Sequence, residues 1–221
     1  MSQGGYGQFC PVAMATELLC TRWTLLVMRE LLAGTTRFND LRRGLPRMSP
    51  ALLSQRLKEL EGSGLIVREG ADYRPSPAGE ALLPIVEAFG HWGQRWISAE
   101  LSLQHLDAQL LMWDMRRNLD PSPLPPRKSV IQFQYPDQPA SSRSWWLVVT
   151  PEEGVDLCSV DPGFDVDLYV TCPLRTMTAI WMGADTVRGA TAQDRLKLVG
   201  EQALAGRMQA WLGYRPSPAN G

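Results

Sequence analysis

The chain has 221 residues, of which 44% are hydrophobic and 20% charged, and its formal net charge is −1 at pH 7. That length suits two domains of about 100 residues each, and the apolar fraction excludes long disorder. No basic stretch leads into an apolar run near the start, and nothing approaches the ~18 consecutive apolar residues of a membrane span, so a cytoplasmic protein without membrane contact is expected.

Residues 1–9 are rich in Gly and Gln and read as a loose arm. A first helix starts at Cys10-Pro11, with the proline in the favoured first turn. Residues 23–32 carry apolar side chains at helical spacing and stop at Ala33-Gly34. A short helix over Phe38–Gly44 ends before Pro46, and Ser49, as N-cap ahead of Pro50, opens a fourth helix to about Glu61. Gly62, Ser63 and Gly64 break it, Leu65-Ile66-Val67 reads as a strand, and residues 68–76 return as a hairpin through Tyr73. From Pro77 an amphipathic helix extends to about Ser98, with Pro84 and Gly90 as bending points.

A further helix, residues 101–118, leads into the Pro-rich stretch 120–126, which reads as a linker. Beyond it, residues 130–135, 145–150 and 165–171 have strand patterns, followed by helices at 174–182 and 200–212 and a tail at 214–221. The expected organisation is a mainly α winged helix, three to five helices plus a β-hairpin wing, over residues 10–100. A connector and linker over 101–126 and an α+β domain over 127–213 complete it.

The four cysteines form no C-x-x-C pair and there are two histidines, which argues against a disulfide scaffold, a metal site or a cofactor. The net charge hides a local one. From Arg37 to Lys58 there are six basic residues (Arg37, Arg42, Arg43, Arg47, Arg56, Lys58) and one acid, Asp40, a field of about +5. On the fourth helix Leu53, Leu57 and Leu60 fall on one face and should be core. The other face presents Ala51, Leu52, Ser54, Gln55 and Lys58, flanked by Arg47 and Arg56. Gln suits adenine edges and Arg or Lys suits guanine, while Ser49 and the helix N-terminus suit a phosphate. Periodicity alone fits a solvated amphipathic helix equally well; the strand-turn-strand that follows favours a winged helix.

The run Cys10-Pro11-Val12, Arg22 to Leu26, Arg29-Glu30-Leu31, Arg37 to Leu41, Met48 to Leu60, Gly64-Leu65-Ile66, Pro77-Ala78-Gly79 and Trp92-Gly93 resembles the HxlR-type winged-helix regulators. The resemblance covers about residues 10–98. It implies a dimeric repressor or activator in which the terminal helices of this domain pair between subunits. In one respect the chain departs from the family: the wing is clipped, leaving Arg68 and Arg74 as its only basic candidates for DNA contact. The resemblance also bears on Cys10. A thiol at a helix N-cap is stabilised as thiolate, and family members that sense oxidants or quinones use the cysteine of this Cys-Pro motif. The alternative is an inert, partly buried residue. Cys20 reads as core.

The second domain offers no nucleophile–base set and no phosphate loop. Asp165 and Asp167 read as a solvated strand face. Residues 165–171, 174–183 and 196–200, with the helix containing residues 110–115, resemble the sterol-carrier-protein type, whose five-stranded sheet and helices enclose an apolar cavity. Trp145, Trp146, Leu168, Val170, Met177, Ile180, Trp181, Met182 and Trp211 are its candidate lining, although each fits ordinary core packing too. The reading is a non-enzymatic regulator: a homodimer on an inverted repeat of double-stranded DNA, with half-sites about 10–10.5 bp or a multiple apart, controlled by a hydrophobic small molecule. A carrier of hydrophobic molecules that uses the winged helix mainly to dimerise is the principal rival. An enzyme for an apolar substrate is the weaker one.

Overall fold

The computed structural model describes residues 5–97 and 103–213. The start of the arm, the end of the helix expected to reach Ser98, the first residues of the expected 101–118 helix and the tail at 214–221 lie outside the described residues. The chain divides into two compact units between Gly90 and His91.

In the first unit the helices are α1 (Pro11–Leu19), α2 (Thr24–Leu32), α3 (Phe38–Gly44) and α4 (Pro50–Gly62), followed by strands β1 (Ile66–Glu69) and β2 (Asp72–Pro75) and a one-turn α5 (Pro77–Glu80). Val27, Met28 and Leu31 of α2 form the core with Leu41, Leu45 and Met48, the Leu53, Leu57 and Leu60 face of α4, and Leu65, Ile66 and Leu82. Each such side chain is worth about 1.5–3 kcal/mol when fully buried. α1 buries no residue at all. Cys20, expected in the core, is exposed, because the chain leaves α1 there before turning into α2.

The helix expected over 77–98 is two helices, α5 and α6 (Leu83–Trp96). Pro84 has no N–H to donate back into a continuous helix but fits the first turn of a new one. Ser76 starts α5, accepting from Gly79 N at 3.2 Å and donating to Gly64 O at 2.6 Å. α6 continues past Gly90. Ile85, Phe89, Trp92 and Trp96 recur on it at helical spacing, all exposed.

The second unit contains α7 (Ala108–Asn118), β3 (Ser129–Gln134), α8 (Ala140–Arg143), β4 (Ser144–Thr150), β5 (Gly154–Cys158), β6 (Leu168–Thr171), α9 (Leu174–Trp181), α10 (Val187–Ala192), β7 (Lys197–Gly200), α11 (Gln202–Gly206) and α12 (Met208–Trp211). Its five strands run β5-β4-β3-β6-β7, with β3 and β6 parallel and the other neighbours antiparallel. Alternation puts Ile131, Phe133, Trp145, Leu147, Val149, Leu168 and Val170 in one core with residues of α7, α9 and α12. Val130, Trp146 and Val148 form a smaller cluster on the opposite face.

The second unit differs from the sequence expectations at several points. α7 begins at Ala108 rather than 101, because Asp107 caps it by accepting from Leu110 N at 3.0 Å. The Pro-rich stretch is not a free linker: Leu119 and Leu124 are buried in the second unit's core, and Asp120 N–H donates to Trp211 O at 2.9 Å. Asp167 is not a solvated strand residue. Its carboxylate accepts from Val130 N at 2.7 Å and Arg127 at 3.0 Å, so the strand starts only at Leu168. Strands β5 and β7 and helix α10 were not expected, and the helix expected from Gly200 is broken at Arg207.

Candidate nucleic-acid interface

α2 positions the pair α3–α4. Arg29 of α2 binds its neighbour Glu30 at 2.7 Å and Gly44 O at 3.3 Å. Glu30 is fully buried, and a Cβ added at Gly44 would stand 2.1 Å from its Oε2. A Cβ there would force the carboxylate to shift, so the glycine lets the end of α3 lie against it where the chain turns towards α4. Met48 and Leu45 are buried in the turn. Ser49 then caps α4, its hydroxyl oxygen accepting from Leu52 N at 3.3 Å, with Pro50 in the first turn.

The heptad-like leucines bury one face of α4 as expected and leave Ala51, Ser54, Gln55 and Lys58 exposed on the other, with Arg47 and Ser49 exposed before it. Two of the expected contact residues are placed differently. Leu52 is half-buried and packs on the core of the first unit. Arg56 is folded along the helix onto Glu59, its side chain only 11% exposed. Its guanidinium balances an acid on its own helix rather than flanking the reading face. Gln55 also uses Glu59, donating from Nε2 to Oε1 at 3.0 Å. The (i, i+3) and (i, i+4) spacings of Arg56 and Gln55 to Glu59 are the sequence signal for this cluster, and Glu59 is absent from the expected contact set.

The hairpin turns at Gly70-Ala71, where Gly70 has a φ of 63°, a left-handed conformation natural for glycine. The pairs Ile66↔Pro75 to Glu69↔Asp72 make the wing short. A bridge between Arg37 and Asp72 and the bond from Tyr73 N–H to Thr36 O at 2.9 Å hold it to the segment before α3. Arg37 Nε lies 3.5 Å from Asp72 Oδ1 while the side chain stays mostly exposed. Both wing arginines are engaged within the wing. Arg68 lies over the Tyr73 ring at 5.4 Å and donates to Gly70 O at 3.1 Å, and Arg74 pairs with Glu69 at 3.2 Å.

Cys10 is the exposed N-cap of α1. The backbone N–H of Ala13, and then that of Val12, hold its thiol below the ordinary value.

In the second unit Trp145, Leu168, Val170, Met177, Ile180 and Trp211 share one buried core, and Trp181 packs against its edge, its indole N–H donating to Asp114 Oδ2 at 2.8 Å. Trp146 does not join them, since the β4 alternation turns it to the opposite sheet face, and Met182 is half-buried at the end of α9. Among the described residues, no helix is long and apolar enough to cross a membrane.

A three-helix core, a capped second helix of a helix-turn-helix with a cationic polar face, and a two-stranded wing define a winged-helix protein. The pattern of the HxlR-like helix-turn-helix family matches residues 18–101. The HTH-type transcriptional regulator YvaP of Bacillus subtilis is 35% identical over 98 residues, 41% of this chain and 91% of that protein. An HTH-type transcriptional regulator of Methanothermobacter thermautotrophicus is 32% identical over 94 residues, 39% of this chain and 72% of its own length. Among solved structures, quinone-bound YodB from B. subtilis has 30% identity and a TM-score of 0.37, covering 39% of this chain and 99% of that one. Through its N-terminal 100 or so residues the chain belongs to the HxlR-like family of DNA-binding transcription regulators.

Proposed function

We propose that the chain acts as a homodimer on an inverted repeat, with α4 of each copy in a major groove, and that an apolar small molecule held by the second unit governs binding. The observation that carries the DNA reading is the exposed row Ser54, Gln55 and Lys58 on a helix whose opposite face is locked into the core. Ala51 gives close approach, Arg47 and Ser49 suit phosphates at the start of α4, and Arg37 suits one beside the wing. Arg68 and Arg74 would have to exchange their present partners for DNA, so the wing adds little, while Leu52 acts through packing and Arg56 through its ion pair with Glu59.

Purified, reduced protein mixed with sheared genomic DNA at physiological salt should retain a palindromic site, and Gln55→Ala with Lys58→Ala should abolish that retention. Lack of any enriched sequence from a folded dimer would defeat this reading and favour the carrier alternative, which the self-engaged wing arginines support.

Support for the homodimer comes from the exposed apolar residues of α1 and α6. A soluble monomer rarely leaves so many large side chains in water. For the ligand, support comes from the arrangement expected of a sterol-carrier-like domain: a five-stranded sheet with Trp145, Leu168, Val170, Met177, Ile180 and Trp211 in one apolar core beside helices. Trp146 and Met182 are poorly placed for that lining. A brominated fatty acid should quench the buried tryptophans at stoichiometric amounts; unchanged fluorescence up to its solubility limit would count against an open cavity.

Cys10 adds an oxidant-sensitive reading. Its thiol, exposed at the start of α1, is held below the ordinary value by the N–H groups of Ala13 and Val12, which favours thiolate relative to an ordinary cysteine. Iodoacetamide at neutral pH should therefore label Cys10 before Cys20. Equal labelling, or a Cys10 pKa at or above the free-thiol value of about 8.5, removes the basis for it.

A further inference from the structure

We infer that Glu59 is a positioning residue that decides which way round Gln55 presents its amide to a base pair. The inference rests on α4 being the groove-reading helix. A glutamine amide presents either its carbonyl or its NH2 group at a given point, and rotation about its last torsion exchanges them. A carboxylate accepts and never donates. With Glu59 Oε1 3.0 Å from Gln55 Nε2, only one of the two orientations is satisfied. The NH2 group is turned towards Glu59, with one hydrogen committed there. Its second hydrogen and Oε1 then form a donor–acceptor couple in fixed order, the couple that an adenine edge takes through N7 and N6.

An acid on a groove-facing helix ordinarily repels the phosphates. Here Arg56 pairs with the other oxygen, Glu59 Oε2, and cancels the charge at its source. Arg56 lies along the helix with its side chain 11% exposed, so it remains with Glu59 when the outer face is covered. Glu59 itself is 46% exposed, whereas the buried residues of α4 are Leu53, Leu57 and Leu60. Its contacts are with the proposed base reader and with the residue that neutralises it. Gln55, Arg56 and Glu59 thus form a unit in which the acid orients, the arginine compensates and the glutamine reads.

The test selects binding sites from a randomised DNA duplex with wild-type protein, Glu59→Ala and Glu59→Gln, and measures affinity for unselected duplex in parallel. Wild type should prefer adenine at one symmetry-related position in each half-site. Glu59→Ala should lose that preference by about threefold to tenfold, the worth of one side chain's lost orientation, with every other position unchanged. Glu59→Gln, whose carbonyl still accepts from Gln55, should retain part of it. Both variants should bind unselected duplex more tightly, because a negative charge has gone.

Unchanged preferences in Glu59→Ala overturn the inference, and so does an equal loss at every position, which is the mark of a merely structural role. If wild type selects no sequence, the DNA-reading proposal itself fails and this inference falls with it.

Discussion

Replacing Phe89 and Trp92 together by aspartate is expected to leave a folded monomer that binds its DNA site at least about 100-fold more weakly than wild type. The first part follows from exposure. Phe89 is 57% and Trp92 59% exposed, so neither substitution opens a hole in either core. The second follows from what these side chains are doing in water. Ile85, Phe89, Trp92 and Trp96 make an apolar stripe along α6, and α1 carries exposed Val12 and Met14 and buries nothing. A nine-residue helix with no fully buried residue is marginal on its own; beyond Leu19, which packs on the first unit's core, α1 would be covered in the proposed homodimer by the α6 stripe of the second copy.

Each aromatic side chain buries about 150–250 Å² when covered, and a charge placed there must be desolvated without a partner. Two half-sites engaged by one rigid dimer gain about 10²–10⁴ over a single engagement. Sedimentation analysis and a DNA titration of the same preparation measure both effects. A wild-type protein that sediments as a monomer, or a double variant that remains dimeric, would exclude this surface.

The winged helix was legible in the sequence because its signals are local and redundant. Ser49-Pro50 starts α4, three leucines at helical spacing bury it, and Gly62 to Gly64 end it. The second unit was legible only where hydrophobic alternation was strong, as in β3 and β4. β5 and β7 are short, and their exposed or half-buried residues give little contrast between faces. β7 ends at Gly200, whose φ of 136° and approach to Asp167 O place it in a tight backbone crossing, and no period announces that.

Within the candidate site, the exposed face of α4 could be read from periodicity. Leu52 could not, since a residue at the edge of the apolar stripe is claimed by whichever neighbour reaches it. Arg56 was misplaced for a similar reason: a cation counts as part of a field until the acid one turn away is seen to hold it. Asp167 was misassigned because an alternating run describes strand-formers and says nothing of a carboxylate that caps the neighbouring strand's N–H.

Gly79→Ala is expected to destabilise the first unit by about 3 kcal/mol, the scale of a steric insertion that a packed core cannot relieve. A Cβ at this position would stand 2.1 Å from Leu65 O and 3.3 Å from Met28 Cε. The first of these is backbone, so no rotamer change relieves it. Leu65 O also accepts from Ser76 N at 3.0 Å, and Ser76 in turn binds Gly64 O. Displacing that carbonyl therefore loosens the start of β1, the cap of α5 and the anchor of the wing together.

At roughly 4–8 °C per kcal/mol for a unit of this size, the melting temperature should fall by about 12–24 °C. Gly62→Ala is the control. Gly62 ends α4 with nothing within 4 Å of the added Cβ, and alanine there should be neutral or stabilise by about 0.5–1 kcal/mol. Equal melting temperatures for the two variants would mean that the α5–β1 crossing is looser than 2.1 Å implies. The wing would then owe its position to the bridge between Arg37 and Asp72 rather than to Gly79.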